Sequence, residues 1–407
     1  MKKRFTSFLF AAIFLFSSLS VFAVDFGLVY SQDADISVPA FDFEEAAVDL
    51  SGVLTPRFTA LVGETGDLYI SASVKYHYEK SEPMAIIPEL ARTDFAFSLG
   101  NIDIKAGRMI YSDPLGIVAS GLFDGAKFSY ISSFGNFHIG GWYTGFLYKE
   151  KAAITMTSKE MADSHTKLDY EDFANTYFAP SRILAALEYD HPSLAGGILG
   201  LKSSLIAQFD TGDDKLNSQY LAVSLSVPVN SFIFDAGGCF ELIEYKDETT
   251  PAFAAEFGVT WMLPTVLEKH LKLSGRYSSG VNDDKTIGAF LPLTTVPQGE
   301  LVEAKFSGLT VLGADFTGRF AKSLSANVVF TYFIRNDLGT YVYYPVSVVS
   351  SEEFFLGGEI FGRVILNIST GIRLNIGTGV FMPQMGNAAP DADMLWRTKL
   401  NLVLSIF

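Results

Sequence analysis

The residues able to do chemistry in this 407-residue chain are few and scattered. His77, His138, His165, His191 and His270 are its five histidines. No two of them stand at the His-x-x-x-His spacing that aims two imidazoles at one metal from a helix face. The single Cys239 excludes a disulfide framework and any cysteine-based zinc or iron–sulfur site. No glycine-rich phosphate loop is present, and nothing resembles a nucleophile elbow. No metal site, no cofactor and no catalytic residues are expected. A Ser–His–acid group can assemble in space from distant positions, so a barrel-embedded hydrolase stands as an alternative. His77, on a strand, reads as a lumen residue rather than a base.

Arginine is the more informative residue. Beyond residue 23 there are ten, and each falls inside or at the border of a segment in which polar and apolar residues alternate. A guanidinium stays charged and offers five donors in a planar fork, which suits recognition of carboxylate or hydroxyl groups. The chemistry implied is selection of solutes. The elements that position these arginines therefore decide the reading.

Those elements are strands. Ile70, Ala72, Val74, Tyr76 and Tyr78 alternate with Ser71, Ser73, Lys75 and His77. Leu221 to Val227, Ala326 to Ile334 and Ile372 to Val380 repeat the pattern, and none shows helical spacing over a comparable length. Period two places apolar side chains on one face and polar ones on the other. The chain is 49% hydrophobic and 18% charged, too apolar for disorder. Its formal charge of −15, with no basic run beyond the first residues, argues against nucleic acid as a partner.

Connection lengths separate a membrane barrel from a soluble sandwich. Short connections fall near 63–66, 100–101, 133–136, 191–197, 228–231, 263–268, 321–323 and 367–369. Mostly longer ones fall near 32–44, 80–91, 111–120, 149–180, 211–217, 247–251, 279–301, 336–352 and 382–393. The two kinds alternate without a break, as periplasmic turns and extracellular loops do in a transmembrane antiparallel β-barrel. The count is 18 strands, the first over 24–31, with 16 as the alternative. Loops 80–91, 149–180, 279–301 and 336–352 are expected at the outer end. Loop 149–180, the longest and rich in acidic and aromatic residues, either folds inward to narrow a pore or stands outside.

Lys2, Lys3 and Arg4, an apolar stretch from Phe5 to Leu19 and the small-residue site Val21-Phe22-Ala23 form a secretory signal peptide, residues 1–23. Cleavage after Ala23 leaves a barrel over 24–407 and takes the charge from −15 to −18. The expected location is the outer membrane of a diderm bacterium. The last strand, Trp396 to Phe407, resembles the terminal strand of such barrels, read by the barrel assembly machinery, although Phe407 is one step out of phase.

A charge on the lipid face costs about 2–4 kcal/mol near the midplane, so strand charges are expected inward. The candidate pore-lining set is Arg57, Lys75, Arg276, Asp315, Arg319, Arg335, Glu359, Arg363 and Arg373. These side chains are expected to stand in water, so that changing them leaves folding intact. Arg108 is out of phase with Asp103 and Lys105, which predicts a bulge at Gly107 or a strand end there.

Three stretches resemble the alginate-export and related porin-like channels. They are Gly107 to Tyr130, with Gly-Arg followed by Phe123-Asp124-Gly125; Gly275 to Gly299; and Gly357 to Pro383. The resemblance implies an 18-stranded channel. It does not carry over alginate, because the inward set here is nearly balanced in sign. The sequence thus reads as a porin-like channel for passive diffusion of small hydrophilic solutes, surrounded by outer-membrane lipid. The alternatives are a substrate-selective transporter of an oligosaccharide or fatty acid and a surface adhesin. No signal for an oligomeric state is present.

Overall fold

The computed structural model describes residues 21–406 apart from 80–83, 165, 213–214, 282–287, 303, 339–352 and 390. Eighteen strands follow one another. The first nine are β1 (Val21–Pro39), β2 (Ala47–Val62), β3 (Gly66–Glu79), β4 (Ala85–Leu99), β5 (Ile102–Ser112), β6 (Ser120–Ser132), β7 (Gly135–Tyr143), β8 (Arg182–Ser193) and β9 (Leu199–Asp210). The second nine are β10 (Asn217–Val229), β11 (Phe232–Tyr245), β12 (Glu248–Met262), β13 (Lys269–Ser278), β14 (Leu309–Ala321), β15 (Leu324–Arg335), β16 (Phe355–Ser369), β17 (Ile372–Met382) and β18 (Leu395–Ile406). Each pairs antiparallel with its neighbour in sequence, and β1 also pairs with β18, from Leu28 opposite Ile406 to Pro39 opposite Leu395. Closure leaves no free edge, which is what a strand-built membrane span requires.

The outer face carries the apolar row. Val74, Ile110, Leu187, Phe240, Phe257, Val328 and Ile376 are all exposed there. Their strand neighbours Ser73, Leu184, Cys239 and Thr331, one or three steps away, are buried. A soluble sandwich would bury its apolar row. This sheet turns it outward all round, as lipid demands.

Connections differ from expectation where strands run further than the pattern showed. β1 continues to Pro39 because its polar run is satisfied inside the sheet: Asp33 accepts from Asn401 at 2.6 Å and Asp35 pairs with Arg397 at 2.7 Å. β4 starts at Ala85, ahead of Pro88, since its first residues pair only with β3 and proline is tolerated at an edge. β12 starts at Glu248, so a two-residue turn stands where a loop over 247–251 was expected. No register shift marks Gly107. The pairing with β6 runs through it, at φ +118, and a Cβ there would lie 2.2 Å from the Thr93 carbonyl oxygen. Glycine is therefore required by close approach rather than by a bulge. The Gly-Arg and Phe-Asp-Gly motifs face each other, with Gly107 opposite Gly125 and Arg108 bound to Asp124 at 2.7 and 2.8 Å.

Two long connections leave the loop end and fold back into the barrel. Connection 144–181 carries three short helices, α1 (Lys149–Ala152), α2 (Ser158–Ser164) and α3 (Phe173–Tyr177). Ile154 forms a bridge to Thr294 of connection 279–308, joining the two inside the wall. Their Leu147, Ile154, Phe290, Leu293 and Phe306 are buried against Met109, Tyr111, Trp142, Leu184 and Tyr220 of the strands. The inward alternative for 149–180 is the one adopted. Of the expected leader, residues 1–20 lie outside the described residues, as do 339–352 of the expected loop 336–352 and Phe407.

Candidate conducting lumen

Strand register sets which side chains share the inner face, because directly paired residues point the same way. Arg276 pairs with Val311, and Asp315 with Lys272 on one side and Val329 on the other. Thr331 pairs with Glu359, and Asn327 with Arg363. Asn367 pairs with Arg373, and Val53 with Lys75. Arg57 sits opposite Gly27, where a Cβ would fall 2.5 Å from its Nε; the missing side chain makes room for the guanidinium.

The nine candidates divide into three groups. Glu359, Arg363 and Arg335 hold connections. Glu359, 1% exposed, accepts backbone N–H bonds from Glu300, Leu301 and Val302 at 2.6, 2.9 and 3.1 Å. Arg363 donates to the Glu300 carboxylate at 2.7 Å, and Lys399 reaches the same carboxylate at 3.6 Å. Arg335, also buried, donates to the Glu353 carbonyl at 2.8 Å. Arg276 and Asp315 line a polar patch: Arg276 pairs with Glu256 at 3.3 Å and donates to Gln298 at 3.3 Å, and Asp315 accepts from Thr317 at 2.7 Å. Arg57, Lys75, Arg319 and Arg373 are dispersed. Lys75 meets Glu150 of α1 at 3.8 Å, Arg319 donates to the Lys322 carbonyl at 3.3 Å, and Arg373 to Asn367 at 3.3 Å.

The expectation that all these side chains stand in water is therefore corrected for Arg335 and Glu359. Both are enclosed, Glu359 under residues 300–302 of connection 279–308 and Arg335 against the Glu353 backbone. A buried carboxylate must be satisfied by donors, and the three N–H groups of residues 300–302 supply them.

Several polar groups of the lumen were not singled out by spacing. Arg182 is fully buried between Glu160 of α2 at 2.6 Å, Asp210 at 3.6 Å and Gln208 at 2.8 Å. Glu241 of β11 accepts the Leu291 N–H at 2.7 Å, and Tyr220 donates to the Leu291 carbonyl at 2.7 Å, so the two peptide groups flanking Leu291 are both clamped to the wall. Lys305 donates to the Thr155 carbonyl, and burial pushes its ammonium down to about 8. Asp113 caps its own turn, accepting from Leu115, Gly116, Val118 and Ala119 at 2.9–3.1 Å. Burial nevertheless raises its carboxyl above the usual range. The only sequence signal for these groups was an apolar stretch in both strand phases, such as Met109-Ile110-Tyr111, which a wet lumen does not need.

No family model and no curated protein matches the chain. Solved structures do. OccK5 (OpdH) of Pseudomonas aeruginosa is similar at TM-score 0.60 and 11% identity, over 94% of this chain and 99% of that one. OccK2 (OpdF) of the same organism gives 0.61 and 10%, over 94% and 97%, and has also been solved in complex with glucuronate. OccAB4 of Acinetobacter baumannii gives 0.58 and 10%, over 95% and 99%. At such identities the likeness is one of fold: this chain has the closed 18-stranded barrel of these proteins along nearly its whole length.

Proposed function

We propose that the chain is an outer-membrane, porin-like channel for passive diffusion of small hydrophilic solutes. The observation that carries this reading is the closed sheet with an exposed apolar row outside and a charged, hydrogen-bonding wall inside. Its neighbours in fold are outer-membrane channels, which supports the same reading. The filled upper lumen favours a narrow, discriminating passage over a wide unselective pore. The lumen is balanced in sign rather than densely basic, which speaks against an alginate-type polyanion. Arg57, Lys75, Arg276, Asp315, Arg319, Arg363 and Arg373 are the lining groups in this proposal, with Arg335 and Glu359 shaping the lumen by holding its connections.

Export follows from the leader. The register shift in the β1–β2 pairing lies between Val21 and Ala23, so cleavage after Ala23 would leave a regular strand beginning at Val24. β18, with its outward Leu400, Leu402 and Leu404, is the segment the barrel assembly machinery would read.

Purified protein in planar bilayers tests the channel. Stepwise conductance in KCl is expected, and replacing residues 289–306 by a short Gly-Ser linker should raise the step several-fold. A folded barrel giving no steps in either form would overturn the reading and turn attention to an adhesin or an embedded enzyme.

A further inference from the structure

The inner wall recedes across four strands. Gly258 of β12, Ser274 of β13, Gly313 of β14 and Thr331 of β15 stand side by side in register. Side chains this small leave a trough where longer ones would fill the wall. Asp235 of β11, paired with Gly258, closes one side. Towards the loop end Glu256 faces Arg276, and towards the turn end Lys272 faces Asp315. Gln298 hangs over it from connection 279–308. The space so enclosed is about 350 Å³.

The charges around the trough are used unequally. Glu256 and Arg276 satisfy each other at 3.3 Å. Lys272 and Asp315 sit directly opposite on neighbouring strands, yet among the described residues no ion pair joins them. The Lys272 stem instead runs over the floor, with its Cε 3.4 Å from where a Cβ on Gly258 would sit. Asp315 accepts from Thr317 through Oδ1, and Asp235 from Ser226 through Oδ1, each at 2.7 Å. Among the described residues no hydrogen bond reaches the second oxygen of either carboxylate.

We propose that this trough is a binding subsite for a small zwitterion, a solute with an ammonium and a carboxylate on one short chain. The inference rests on the channel reading above. The ammonium is held by Asp315 and the carboxylate by Lys272, with Asp235 on the far side of the trough. A solute of both signs satisfies the separated charges together. A singly charged solute satisfies one and is repelled by the other, and a neutral polyol leaves both unpaired. Charge-assisted hydrogen bonds are the strong ones in such a site.

Isothermal titration of the detergent-purified barrel with 4-aminobutyrate, butyrate, butylammonium and glucose tests this, alongside KCl conductance of the same preparation. The expected result is binding of 4-aminobutyrate about tenfold or more tighter than the other three, the scale of one charged hydrogen bond. Lys272→Gln and Asp315→Asn should each bring it down to the level of a singly charged probe. If 4-aminobutyrate binds no tighter than glucose or butyrate to the wild-type barrel, the subsite is overturned, whether or not the variants fold. Equal binding by correctly folded variants also overturns it. Conductance without zwitterion preference sinks the subsite alone. Zwitterion binding without conductance sinks the channel reading and keeps a binding site.

Discussion

The two halves of the lumen put the same strand phase to opposite uses. Near the turn end, inward positions are polar: Asp103 and Lys105 on β5, Glu188 and Asp190 on β8, His138 on β7. They pair sideways along the wall, Lys127 with Glu188 at 2.6 Å and His138 with Asp190 at 2.7 Å. Near the loop end the same phase of the same strands carries Met109, Tyr111, Leu184 and Trp142, all buried. There the folded-back connections turn the wall into one side of a dry protein core, and each charge left inside is enclosed by named partners. A single barrel thus contains both a wet wall and a packed interior, and a charge removed from one should cost far more than from the other.

The largest expected effect is at Arg182. Arg182→Met strands Glu160 and Asp210 in the dry half without their cation. Removing one partner of a buried ionic group costs about 3–5 kcal/mol, which should appear in urea unfolding of the refolded barrel. Arg319→Gln, at an exposed site of the turn end, should stay within about 0.5 kcal/mol. Equal costs would erase the distinction between the halves.

The outer face comes next. Phe330→Arg or Ile376→Arg should cost about 2–4 kcal/mol near the midplane, whereas Asn375→Arg, inward and partly exposed, should cost much less.

A pH effect follows from Lys305. Its ammonium is pushed down to about 8 by burial when the connection is docked, against 10.5 when free. Above pH 8 the undocked form binds more protons than the docked form, so docking strengthens as pH rises from 8 to 10.5. The gain is on the order of 3 kcal/mol if the shift is fully expressed. Channel conductance should therefore fall over that window, and Lys305→Met should flatten the profile. A wild-type profile already flat would place Lys305 in water.

The smallest effect is expected from wall arginines that hold no connection. Arg57→Gln with Arg319→Gln and Arg373→Gln should shift the reversal potential in a KCl gradient modestly toward cations, since the remaining carboxylates then dominate the field. An unchanged potential with intact conductance would remove these three from the conducting path.

The architecture was legible in the sequence because its causes are local. Period two, a costly lipid face and the parity of connection lengths act within ten or twenty residues. They placed Ile376 outward, Arg373 inward and eighteen strands in order. Where local pattern failed, as in Asp33 and Asp35 of β1, the satisfying partners Asn401 and Arg397 lie at the other end of the chain. The interior was settled only by tertiary structure. Nothing near Lys305 announces Thr155, nothing near Ile154 announces Thr294, and Glu359 reads the same whether it faces water or three backbone N–H groups. An inward phase states which side of the wall a residue is on. What fills the space beyond it depends on segments from tens of residues to well over a hundred residues away, and only their packing decides which charges meet solute and which meet protein.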